Sequence, residues 1–108
     1  MVFGIAINEQ EKDMLQTSVK FYLKSFKGMG LNALKLAFFQ VEAPSLNLYL
    51  DEIEMIFTIQ SLFKYGEYLS GDGFYEDSFL YRTLAAEMEQ IRFEKKIKKA
   101  TSADTLIA

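Results

Sequence analysis

No glycine or proline interrupts the chain after Gly73, and this unbroken stretch constrains the fold more than any other feature. Proline breaks a helix interior and glycine weakens it, so their absence leaves one long helix as the natural reading. The helix is predicted to start at Asp72 or Gly73, with Asp72 as its N-cap, and to run to about Lys99. Its ~27 residues, at about 1.5 Å each, make a rod of about 40 Å, longer than a domain of this size is wide. Glu76 and Asp77 fall in its first turns and Lys95, Lys96, Lys98 and Lys99 in its last, each sign where the helix dipole favours it.

A helical projection of this segment puts Leu80, Tyr81, Leu84, Met88 and Ile91 on one face, the natural core side. Tyr75, Phe79, Ala86, Phe93 and Ile97 form a second, narrower stripe roughly opposite. Two apolar stripes need two neighbours. The second is the apolar strip Val2 to Ile7, the helical segment over about 31–41, or another molecule, and Phe93 and Ile97 lie where the rod projects furthest.

Upstream, punctuation falls at Gly28-Met29-Gly30, at Pro44-Ser45 and at Gly66 through Gly73, which divides the chain into helical segments. Asn8 and Glu11 have the spacing of a capping box, so a helix is predicted over about 9–27, with Leu15, Val19, Tyr22, Leu23 and Phe26 inward. Residues 31–41 read as a shorter helix with Leu31, Leu34, Phe38 and Val41 at core spacing, although Phe38, Phe39 and Val41 also suit a strand. From Ser45 to about Tyr65 a third helix is predicted. One broad face carries Leu46, Tyr49, Leu50, Ile53, Ile56, Phe57, Gln60 and Phe63, and the other carries Leu48, Met55 and Leu62. Apolar on both sides, it belongs at the centre of the fold. The acids Asp51, Glu52 and Glu54 near its start suit the helix dipole better than a metal site.

These segments define an all-α fold, a bundle of three long helices and one short one with a long C-terminal helix. One helical domain is expected over 1–99, with a loose tail over 100–108. The apolar opening has no basic flank or cleavage-like site, and no run of apolar residues is long enough to cross a bilayer, so the expected location is the cytoplasm and no membrane contact is expected.

Composition narrows the chemistry. There is no cysteine and no histidine, which removes thiol nucleophiles, imidazole general bases and the usual transition-metal ligand sets. No phosphate-binding glycine pattern accompanies Gly28 and Gly30, and the stretch Ser70 to Asp77 lacks the alternating ligands of a calcium loop. No catalytic, cofactor-binding or metal-ligating residue is therefore expected, and the chain reads as a non-enzyme.

Charge is unevenly spread. Residues 1–41 carry five Lys against three acids, residues 42–91 two cations against ten acids, and residues 92–108 five cations against two acids. The resulting expectation is a non-catalytic, helical protein-binding or regulatory factor, a small inhibitor or adaptor. It self-associates as a homodimer through Tyr75, Phe79, Ala86, Phe93 and Ile97, and its acidic middle suits a partner with a basic surface. The alternative is nucleic-acid binding by Arg92, Lys95, Lys96, Lys98 and Lys99, against which the net charge of −3 weighs.

Overall fold

The computed structural model describes the backbone of residues 2–107 and the side chains of residues 2–95. In chain order the elements are β1 (Val2–Ala6), α1 (Glu9–Ser25), α2 (Leu31–Glu42), β2 (Asn47–Asp51), α3 (Glu52–Gly71) and α4 (Tyr75–Ile107). The class is all-α, with one small sheet added. The expectation of a loose tail at 100–108 falls outside the described side chains.

The helix starts are fixed by their caps. Asn8 Oδ1 accepts from the Glu11 N–H at 2.7 Å while Glu11 Oε1 accepts from the Asn8 N–H at 2.9 Å, which satisfies two otherwise free donors of α1. The same device recurs at α3, where Asp51 accepts from the Glu54 N–H at 2.7 Å and Glu54 accepts from the Asp51 N–H at 2.8 Å. Residues 31–41 are helical: α2 buries Leu34, Ala37 and Val41 on one face, and Pro44 follows its end.

The third helix differs from the sequence expectation. It begins at Glu52 rather than Ser45 and passes through Gly66 to end at Gly71. Residues 47–51 form a strand instead, with Leu48 and Leu50 buried and Asn47, Tyr49 and Asp51 exposed. The strand is stable because it has a partner. β1 alternates in the same way, burying Phe3 and Ile5, and pairs antiparallel with β2 so that Val2 lies opposite Asp51 and Ala6 opposite Asn47. Helical periodicity over 45–51 therefore gives way to a two-residue repeat, and the inward face of α3 becomes Met55, Thr58, Ile59, Ser61 and Leu62. Ile53 and Phe63, expected inside, are exposed.

α3 is nevertheless central, packing against α1, α2, α4 and both strands. Asp72 is a second correction: it caps the end of α3, its N–H directed at the Leu69 and Tyr68 carbonyls, and is not the N-cap of α4. The α3–α4 contact is close because Gly66 has no side chain. A Cβ there would lie 2.9 Å from Arg82 Cγ and 3.4 Å from the Ser78 carbonyl oxygen. Ser78 Oγ uses the approach to donate to the Gly66 carbonyl at 2.7 Å, so this glycine serves packing and not helix termination. Around the other side, Lys12 Nζ donates to the Ser45 carbonyl at 3.0 Å and Gln16 Nε2 to the Val41 carbonyl at 2.9 Å, tying α1 to the α2–β2 connection.

Gly30 is constrained twice. Its φ is +97°, and a Cβ would sit 2.4 Å from Phe57 Cζ. Gly28 also has positive φ, +125°, but nothing lies within 4 Å of its Cβ position. Gly30→Ala is expected to destabilise the fold by about 2–4 kcal/mol, from backbone strain plus displacement of Phe57, and Gly28→Ala by only about 1 kcal/mol, from strain alone. Urea midpoints of the two variants measure the difference.

Candidate functional site: the two open sides of helix α4

The inward face of α4 is set by its grip on α3. At one end Ser78 and Arg82 meet Gly66. At the other, Arg92 Nη1 reaches Glu52 at 3.2 Å while its Nη2 holds Glu89 at 2.5 Å. The Arg92 side chain is only 19 % exposed, and the hydrogen bond to Glu89, opposed by partial desolvation, pushes its pKa further up. Between these clamps Ser78, Leu84, Ala85 and Met88 are buried and Tyr81 is half-buried. The sequence-predicted core face is therefore rotated. Leu84 and Met88 belong to it, whereas Leu80 and Ile91 are 45 % and 37 % exposed.

The second stripe lies in the open. Tyr75, Phe79 and Phe93 are 69 %, 63 % and 55 % exposed, and Ala86 is exposed between them. Ile97 lies outside the described side chains. The apolar strip Val2 to Ile7 does not cover this stripe, for it forms β1 and meets α4 elsewhere: Lys95 Nζ donates to the Val2 carbonyl and lies 4.8 Å from the centre of the Phe3 ring. α3 runs antiparallel to α4, as the pairs Gly66–Ser78 and Glu52–Arg92 require. At about 100° per residue, this alignment puts Phe63 and Ile56 on the side of the hairpin that carries Phe79, Ala86 and Phe93. Phe63 is exposed and Ile56 half-buried. Helical spacing alone places Phe63 and Ile56 with the core residues of α3, so the sequence does not reveal this contribution.

Of the five cations considered for nucleic acid, the two with described side chains are engaged within the chain: Arg92 with Glu89 and Glu52, and Lys95 with Val2 and Phe3. Lys96, Lys98 and Lys99 lie outside the described side chains.

The other open side of α4 faces α1. Both helices pack on α3 but make little contact with each other, leaving a groove above it. An aromatic cluster forms one end. Tyr65 and Tyr81 meet edge to face with centroids 4.8 Å apart, and Tyr65 also contacts Phe21 at 5.2 Å. Burial pushes the Tyr81 phenol above its ordinary pKa, with Tyr65, Asp13 and Asp77 adding to the rise and a hydrogen bond with Thr17 opposing it.

Comparison with family models, with curated proteins and with solved structures finds no match to this chain. No helix among the described residues is long and apolar enough to cross a membrane.

The folded chain holds the Tyr81 proton more tightly than the unfolded chain, whose tyrosines titrate near ~10. This contribution to stability is complete below about pH 10 and is lost as pH rises through the higher folded value. Tyr81→Phe is accordingly expected to show a weaker alkaline loss of stability, read from urea midpoints taken from about pH 9 upward.

Proposed function

We propose that this chain is a non-catalytic helical protein-binding or regulatory factor, of the small inhibitor or adaptor kind, that self-associates as a homodimer through α4. One observation carries the reading: Tyr75, Phe79 and Phe93 stand exposed along one side of a single helix, and the chain's own β1 seats against Lys95 instead of covering them. Large aromatics are costly to leave in water and are typical anchors of interfaces, so a row of them flanked by charge is an interface core with a polar rim. Phe63 and Ile56 on the adjoining helix widen the row into a two-helix face, the geometry by which helical hairpins pair into four-helix arrangements.

Composition supports the non-catalytic part of the reading, since a chain without histidine or cysteine lacks the commonest general base and the thiol nucleophile. Nucleic-acid binding through the basic end of α4 gains no support from the described side chains, because Arg92 and Lys95 already have partners within the chain.

Phe79→Asp combined with Phe93→Asp tests the proposal. Both side chains are exposed in the single chain, so circular dichroism is expected to stay unchanged. Light scattering is expected to give a dimer for the unaltered chain and a monomer for the variant, with association weakened by at least ~30-fold, equivalent to about 2 kcal/mol. An unaltered chain that is monomeric throughout the accessible concentration range overturns the reading.

A further inference from the structure

The groove between α1 and α4 lies on the side of α4 away from the aromatic stripe, and its chemistry differs from that of the stripe. Two adjoining hollows make it up, of ≈ 250 Å³ and ≈ 160 Å³, and they share Gln10, Met14 and Leu80. Its floor is apolar, formed by Met14, Leu69, Leu80 and Leu84. Its rim is acidic on both banks, with Glu11 and Asp13 from α1 and Asp77 and Glu87 from α4. Among the described residues, no Lys or Arg lines either hollow. The Tyr65–Tyr81 pair closes one end with aromatic surface.

From this arrangement we infer that the groove is a docking site for a basic segment of a partner protein, one whose Lys or Arg side chains alternate with apolar ones. The inference rests on the protein-binding reading above and adds a second surface with a partner of stated chemistry. Charge complementarity selects the occupant. Carboxylates on two banks repel an acidic peptide or a nucleic-acid backbone and attract cationic side chains from both sides. The apolar floor suits the aliphatic stems of Lys and Arg as well as interleaved apolar residues, and the tyrosine pair offers cation–π contact at the groove's end. Glu11 is already committed to the Asn8 cap, so Asp13, Asp77 and Glu87 are the carboxylates left to receive a partner.

The test uses the full chain and a fluorescein-labelled synthetic peptide of alternating Arg and Leu, followed by anisotropy at low and at physiological salt. Saturable binding that weakens with salt is expected. The triple variant Asp13→Asn, Asp77→Asn and Glu87→Gln should lose at least ~10-fold in affinity. A second triple variant, Glu42→Gln, Glu67→Gln and Glu94→Gln, removes the same charge away from the groove and should bind within about twofold of the unaltered chain. All six side chains are exposed, so both variants should fold, which circular dichroism checks. Absent binding to the unaltered chain, or equal losses in the two triple variants, overturns the inference. Light scattering on the same samples separates the two proposals: a dimer that fails to bind the peptide defeats the groove alone, and a monomer that binds it defeats self-association alone.

Discussion

The close approach of α3 and α4 at Gly66 governs the outer surface of this protein. With no side chain at that position, the Ser78 hydroxyl reaches the α3 backbone and the Arg82 stem lies across it. Glu52 and Arg92 secure the far end of the same pair. Two fixed points determine the rotation of a rigid helix, and rotation decides which residues of α4 meet water. Phe79 and Phe93 are outside because Ser78, Ala85 and Met88 are inside. A bulkier residue at position 66 would have to push the helices apart or turn α4, and either change would alter the stripe and the groove together.

Much of the architecture was readable from residue spacing. Asn8 and Glu11 announced the start of α1, Pro44 the end of α2, and the absence of glycine and proline after Gly73 the long last helix. The sheet was not read, and the reason is physical. Leu46, Tyr49, Leu50 and Ile53 satisfy a helical repeat as well as Leu48 and Leu50 satisfy a strand repeat, and periodicity over so short a segment does not separate the two. The deciding signal was Asp51 with Glu54, which repeats the Asn8–Glu11 spacing and marks where the helix must start. Likewise, Val2 to Ile7 alternates cleanly once a partner strand is known.

The rotation of α4 was harder to read. Its innermost surface includes Ser78 and Ala85, small residues that carry no hydrophobic signal, while Leu80 and Ile91 carry a strong one and lie partly outside. Close helix packing favours small side chains, so the most intimate contact in the molecule is the one that residue hydrophobicity reveals least. The aromatic stripe was legible because it depends only on spacing within one helix. The groove was not, because its acids come from two helices far apart in sequence and its floor from those two and a third.

The pairing of Val2 with Asp51 has a consequence for how the chain is made. The first strand leaves the ribosome with no mate, and about fifty further residues must follow before β2 emerges, a wait of about 3–10 s at typical elongation rates. Until then Phe3 and Ile5 have no sheet to hide them, while α1 and α2 are free to form locally. Lys95, which seals the Val2 carbonyl and covers Phe3, arrives later still. During synthesis β1 thus stays unpaired until β2 and then Lys95 arrive, and it is among the last parts of this fold to find its place.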